Sequence, residues 1–114
     1  MVQKRYKVVI AQSGKMDVKE KKKYILQHFK YREYAENFSQ KIKKALKQLD
    51  VFPTGYETTG FQYRGYDIYI KPDSNHLLFY TVNEDTAVVT VLRVLQDGMD
   101  WEYIIKRWLD RTNK

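Results

Sequence analysis

The sequence predicts an α+β fold in which an N-terminal strand and a helical hairpin pack on a four-stranded, mainly antiparallel sheet, with a C-terminal helix. Apolar residues recur at helical spacing in the first half of the chain, whereas the second half contains short β-branched and aromatic runs separated by turn residues. The length of 114 residues suits one domain over residues 1–114.

The first half predicts one strand and two helices. Residues 6–11 are rich in valine and isoleucine, which favours a strand. A first helix is predicted over about 17–31, with Asp17 as its N-cap. A second helix is predicted over 33–49, because its apolar residues form one stripe at steps of three and four. The short connection predicts an antiparallel helical hairpin.

The second half predicts three strands and a helix. Residues 66–71 alternate between two faces, and the runs 76–82 and 87–95 are almost continuously apolar, as in strands covered on both faces. Asp100 is expected to cap a final helix whose apolar residues repeat at steps of three and four. The predicted order is therefore β-α-α-β-β-β-α.

Composition excludes several classes of protein. The chain has no cysteine, which argues against disulfides and thiolate metal sites, and no run of about 20 apolar residues that could span a membrane. Its two histidines are far apart, and it has no glycine-rich phosphate-binding motif. We expect a cytoplasmic protein without a metal, a cofactor or a membrane partner.

Positive charge is concentrated in the first half. Residues 1–50 carry a formal charge of +9 and residues 51–114 carry −2. This asymmetry predicts a basic face for nucleic acid or an acidic protein, although a lysine-solvated helical surface would give the same pattern. The lysines expected to bind nucleic acid or an acidic protein partner are Lys19, Lys22, Lys23, Lys43, Lys44 and Lys47.

Metal-free cleavage of RNA needs an acid, a base and cations around the scissile phosphate. Arg93 interrupts an apolar run, so it either faces a functional groove or pairs with Asp97 or Asp100. The candidate catalytic residues are Arg93, Lys71, Arg64, His76 and Tyr103.

Aromatic residues around Arg64 have two interpretations. Such rings stack on the bases of single-stranded RNA, or they cover one face of a twisted sheet. The cluster consists of Tyr56, Phe61, Tyr63, Tyr66 and Tyr69.

The chain resembles the RelE/ParE family of toxins from bacterial type II toxin–antitoxin systems. The resemblance is carried by HLLFY at 76–80, VTVLRVL at 89–95, MDW at 99–101 and AENF at 35–38. It implies the RelE/ParE fold and a cognate acidic antitoxin that wraps the helices and the sheet of the toxin.

The resemblance also implies a target. RelE-type members cleave messenger RNA on the ribosome, and ParE-type members inhibit DNA gyrase. Among the basic strand positions of the ribonuclease branch only Lys71 fits, while Leu77, Gln96 and Gly98 replace residues common there. These departures suit a ParE-type toxin better, and whether the chain is an enzyme stays open. A non-toxic RNA-binding module is the alternative.

Overall fold

The computed structural model describes residues 4–29 and 31–112, and in these ranges it contains five strands and three α-helices. Two short 3₁₀ turns, Gln48–Asp50 and Pro53–Gly55, lead from the helical hairpin into the sheet. The elements are β1 (Lys7–Ile10), α1 (Gln12–His28), α2 (Arg32–Lys47), β2 (Glu57–Tyr63), β3 (Tyr66–Asp73), β4 (His76–Asn83), β5 (Val88–Gln96) and α3 (Trp101–Thr112).

The strands form one sheet in the order β1-β5-β4-β3-β2. β1 runs parallel to β5, and all other neighbours are antiparallel. The predicted α+β class is confirmed, but the predicted count of four strands is wrong because β2 was missed. The register of β2 against β3 shifts between Thr58 and Gln62, next to Gly60 with φ +86°. The bulge interrupts the alternation that identifies a strand in a sequence.

The sheet is covered on both faces. The α1–α2 hairpin packs on one face, where Leu49 meets Leu78 and Tyr80 in one apolar core. Helix α3 packs on the other face, where Ile105 joins Phe79 in a second core. Successive residues of β4 therefore enter different cores, which explains why β4 and β5 are almost continuously apolar in sequence.

Helix α1 begins at Gln12, not at Asp17, so the predicted N-cap is wrong. A close approach between the first turn of α1 and β5 accounts for Gly14. A Cβ atom at Gly14 would lie 2.9 Å from Ile10 Cγ1 and 3.2 Å from the Val91 carbonyl oxygen. A larger residue here would press on β1 and β5, so glycine suits a turn that follows β1 directly.

Beyond the end of β1, helix α1 lies along the free edge of β5. Its side chains at steps of four contact alternate residues of β5. Four helical residues rise about 6 Å and two strand residues about 6.6 Å, so the two spacings match closely. The contacts, which we call the edge ladder, are Ser13 Oγ to the Leu92 carbonyl oxygen (2.6 Å), the Val94 N–H to Asp17 Oδ2 (2.9 Å) and Lys21 Nζ to Gln96 Oε1 (3.0 Å).

The start of α3 agrees with the sequence. The side chain of Asp100 accepts a hydrogen bond from the Tyr103 N–H at 3.3 Å, which confirms Asp100 as an N-cap. In the part of the chain that the structure describes, no helix combines the length and the apolar character needed to cross a bilayer.

Candidate functional site

Arg93 is held in an ion pair with Asp17 of α1. Arg93 Nε donates to Asp17 Oδ2 at 2.8 Å and Nη2 donates to Oδ1 at 2.9 Å. The two side chains are only 15% and 13% exposed, and the guanidinium lies 5.7 Å from the Trp108 ring centroid. Arg93 is therefore paired, as one interpretation of the sequence held, but the predicted partners Asp97 and Asp100 are wrong.

Lys71 lies on the hairpin face of the sheet and is only 5% exposed. Its Nζ donates to Gln48 Oε1 at 3.0 Å and lies 5.5 Å from the Tyr56 ring centroid. Lys71 matches a basic strand position of the ribonuclease branch in sequence, but its side chain is buried and does not project into an open site. Because its ammonium is already engaged inside the fold, Lys71 serves to join β3 to the end of the hairpin.

Arg64 and Tyr103 lie on other elements than Arg93 and Lys71. Arg64 lies in the β2–β3 turn with φ +52°, and its guanidinium is 5.1 Å from the Tyr63 ring centroid. Tyr103 is exposed on α3, where its hydroxyl accepts a hydrogen bond from Arg107 Nη1 at 2.6 Å. Over residues 4–29 and 31–112, no three His, Asp or Glu side chains are grouped so as to hold a metal ion.

Only two of the five catalytic candidates share a cleft. His76 and Arg93 both line a cavity of about 290 Å³ at the end of β5, together with Asp17 and Glu20. Asp17 already neutralises Arg93 there. The structure therefore does not place the five candidates around one position where a phosphate could be cleaved.

His76 is the candidate with unsatisfied polar atoms. Its Nε2 is buried and has no hydrogen-bond partner among the described residues, and its ring lies 5.0 Å from the Phe38 ring. Burial lowers the pKa of His76, and the positive charges of Lys21 and Lys41 lower it further, against an opposite effect of Asp73. The imidazole is therefore neutral at neutral pH.

His76 also lines a cavity of about 680 Å³, which we call the hairpin-mouth pocket. The pocket lies between the closed end of the α1–α2 hairpin, near Phe29, and the β3–β4 turn. Its apolar walls are Ile25, Phe29, Tyr34 and Phe38, and its cations are Lys21 and Lys41. Sequence reasoning missed this pocket, because its walls come from five separate elements, α1, α2, β3, β4 and β5. Of its lining residues, His76 alone was a predicted site residue, as a catalytic candidate.

The six predicted binding lysines all lie on the helical hairpin. Lys22 is half-buried and the others are exposed. None of the six forms a salt bridge within 4.0 Å to any residue that the structure describes. Lys15, Lys19 and Lys23 follow each other at steps of four and so share one side of α1. The hairpin thus presents unneutralised positive charge, while its ligand stays a prediction.

The aromatic cluster near Arg64 is divided between the two faces of the sheet. Tyr69 stacks on Tyr80 in the hairpin-side core, with ring centroids 5.5 Å apart. Tyr63 stacks on Trp108 of α3 at 5.4 Å. Tyr63 and Tyr69 therefore cover opposite faces of the sheet, as the second interpretation held, whereas Tyr56 and Tyr66 stay exposed. The five rings do not form one platform for bases.

In comparisons with known proteins, a family model identifies the family and solved structures identify the fold. Residues 8–101 match the family model described as the ParE toxin of the type II toxin–antitoxin system parDE. No curated protein sequence matches the chain.

Three solved structures have similar folds. A chromosomal ParDE system from P. aeruginosa aligns with a TM-score of 0.63 at 12% identity, covering 82% of this chain and 98% of that one. The RelBE2 complex from Mycobacterium tuberculosis gives 0.57 at 14% identity, with 83% and 94% covered. The archaeal RelE–RelB complex from Pyrococcus horikoshii OT3 gives 0.54 at 14% identity, with 82% and 97% covered.

Proposed function

The chain belongs to the ParE toxin family of type II toxin–antitoxin systems, and from that premise we propose that it arrests growth by inhibiting DNA gyrase and not by cleaving RNA. An acidic antitoxin neutralises it. The alternative of a non-toxic RNA-binding module has less support, because Tyr63 and Tyr69, two of the tyrosines that would have stacked on bases, are packed on opposite faces of the sheet.

We favour gyrase over RNA as the target because the candidate catalytic residues lie apart from one another in the fold. A metal-free ribonuclease needs free cations and an acid–base pair around one phosphate. Lys71 is buried against Gln48, and Arg93 is neutralised by Asp17. At the third-strand position that is basic in many ribonuclease members stands Leu77, which is 6% exposed within the α3-side core. These placements favour a toxin that acts by binding.

The basic hairpin supports an acidic antitoxin as the partner. The solved relatives of similar fold are complexes of a toxin with its antitoxin. The hairpin lysines of this chain have no acidic partner within the described fold, so an acidic protein gains from covering them. The same charges also suit steering toward a large anionic target.

Growth under inducible expression tests the toxin function. We expect arrest when the chain is expressed alone, and recovery when its cognate antitoxin, to be sought as a small acidic protein encoded by an adjacent reading frame, is co-expressed. Immunoblotting of the soluble fraction controls for the amount of folded protein. Normal growth despite accumulation of the soluble chain would remove the basis of the proposal.

Mapping of mRNA ends in the arrested cells tests the choice of target. Because no assembled acid–base set supports cleavage, we expect no translation-dependent mRNA cleavage, and we expect relaxed plasmid DNA from gyrase inhibition. A known ribosome-dependent mRNA endonuclease, expressed in parallel, is the positive control. Cleavage within codons at the onset of arrest would overturn the gyrase assignment while leaving the toxin function intact.

A further inference from the structure

Exposed aromatic side chains crowd the closed end of the α1–α2 hairpin. Phe29 and Tyr34 pack edge to face at 5.6 Å, and Tyr31 contacts Tyr34 at 6.1 Å in the same way. About half or more of each ring residue is exposed: 50% of Phe29, 49% of Tyr34 and 60% of Tyr31. Clustered exposed aromatic rings are typical of protein-binding surfaces, because they bury large areas with little loss of side-chain entropy.

The hairpin-mouth pocket adjoins this aromatic cluster, since Phe29 and Tyr34 belong to both. Its deeper wall is formed by Ile25 and Phe38, which belong to the hairpin-side core. A volume of about 680 Å³ is within the range of ligand-binding cavities and is large enough for one or two side chains. The pocket therefore suits an apolar group supplied from outside.

Two lysines and one histidine add a specific polar requirement. Lys21 of α1 and Lys41 of α2 both line the pocket, and neither forms a salt bridge to a described residue. His76 lines the same pocket and leaves its Nε2 without a hydrogen bond. Asp73 is the one acidic lining residue, so two cations face a single carboxylate. The lining therefore has an excess of one positive charge, which one more negative group would neutralise.

We propose that the hairpin-mouth pocket binds a carboxylate carried on an apolar stem, and that the occupant is an acidic, apolar segment of the antitoxin. The carboxylate lies between Lys21, Lys41 and His76, while the neighbouring apolar group packs on Phe29 and Phe38. The identity of the occupant rests on the proposed function, whereas the chemistry of the pocket does not.

Charge complementarity favours the antitoxin over a second copy of this chain. The chain carries a net charge of +7, so two copies meeting at the basic hairpin would repel each other. An acidic segment neutralises the lysines and covers the exposed rings in the same step. Its carboxylate gains charge-assisted hydrogen bonds in a partly desolvated pocket, where they are stronger than on an open surface.

A carboxylate beside His76 couples binding to proton uptake. Lys21 of α1 and Lys41 of α2 oppose protonation of the imidazole, and Asp73 of β3 favours it. In the second cavity that His76 lines, Arg93 of β5 is paired with Asp17 of α1, Glu20 of α1 is acidic and Gln96 of β5 is uncharged. An added carboxylate shifts the balance toward the charged imidazole. Affinity for the carboxylate is therefore higher at about pH 6 than at about pH 8.

An NMR titration with two small probes tests the pocket itself. The probes are 3-phenylpropionate and its uncharged analogue 3-phenylpropionamide, added to the isotopically labelled full chain. We expect the acid to shift the His76 ring signals and to bind at least about fivefold tighter than the amide. The variant Lys41→Gln reduces this difference, and Lys106→Gln on α3, an exposed residue outside the pocket, preserves it. Equal binding of the two probes, or no binding of either, would overturn the proposal.

Two further arms test the pH response and the occupant. The preference for the acid grows from about pH 8 to about pH 6 in the wild type and stays constant in His76→Gln; a pH-independent wild type would contradict the role of His76. Purified cognate antitoxin displaces 3-phenylpropionate, whereas a ternary complex that retains the probe would overturn the antitoxin as occupant. Neither readout depends on growth arrest, so failure here is distinguishable from failure of the proposed function.

Discussion

At the scale of single residues, the Arg93–Asp17 pair joins two parts of the fold that are distant in sequence. Asp17 accepts two hydrogen bonds from the guanidinium and one from the Val94 N–H. Arg93 lies next to the bulge of β5 against β4, where the register shifts between Phe79 and Tyr80. The pair thus fixes α1 against an irregular point of the sheet, and its charges are mostly shielded from water.

Removing one member of this pair should destabilise the fold, because the other charge remains buried without a partner. We expect Asp17→Asn to lower the free energy of unfolding by about 2–4 kcal/mol. Asp50→Asn is the matched control, since it breaks an ion pair with Arg5 whose side chain is 67% exposed; its cost should be below about 1 kcal/mol. Urea unfolding monitored by circular dichroism measures both, and equal losses would contradict the structural role of Asp17.

His76 should make the fold sensitive to acid. Its pKa is lowered in the fold from the ordinary value of 6.5, mainly by burial and then by Lys21. The unfolded chain therefore binds the proton more readily, so stability falls as the pH drops below the unfolded pKa toward the folded one. We expect thermal unfolding scans to show a loss of stability between neutral pH and about pH 5.5 that is smaller in His76→Gln. An identical pH response of the two proteins would contradict this account.

At the scale of secondary-structure elements, α1 acts as a substitute for a strand. β1 is only four residues long and pairs with the first part of β5, which leaves the rest of that edge unpaired. The edge ladder protects the exposed edge from pairing with other chains. Its residues are polar and sit in a helix, so the sequence pattern suggested an N-cap at Asp17 instead of a contact with β5.

Substitution of Gly14 by alanine tests the close approach of α1 to β5. At an open helical site Gly→Ala adds about 1 kcal/mol of stability. Here the new Cβ would meet Ile10 and the Val91 carbonyl, so we expect Gly14→Ala to destabilise the fold by about 1–3 kcal/mol. Gln12→Ala, at an exposed position of the same turn, should change stability by less than about 0.5 kcal/mol. Chemical denaturation would contradict the close approach if Gly14→Ala proved more stable than the wild type.

At the scale of the whole molecule, the features that could be predicted from the sequence are those that depend on local periodicity. The stripe of α2, the apolar runs of β4 and β5, and the cap at Asp100 are each determined by neighbouring residues, and the structure confirms them. Contacts between distant elements were not accessible. The partner of Arg93 lies 76 residues away, and the burial of Lys71 depends on Gln48 at the end of the hairpin. The pocket around His76 requires the complete fold.

The uneven charge of the whole molecule predicts a strong effect of salt on antitoxin binding. Raising the salt concentration from about 0.05 to about 0.5 M should weaken the complex at least tenfold, because exposed charges are screened. A triple Gln variant of Lys19, Lys22 and Lys23 should reduce the slope of log Kd against log salt, measured by titration calorimetry. A salt-independent affinity would contradict the electrostatic account. The matched control is a triple Gln variant of three cationic residues of α3, namely Lys106, Arg107 and Arg111.

Supercoiling of relaxed plasmid by purified DNA gyrase measures the central claim most directly. We expect the purified chain to inhibit supercoiling in proportion to its concentration, equimolar antitoxin to restore it, and RNA in the same mixture to stay intact. Full supercoiling at toxin concentrations far above those of gyrase, together with cleavage of mRNA on translating ribosomes, would contradict a ParE-type toxin that acts by binding.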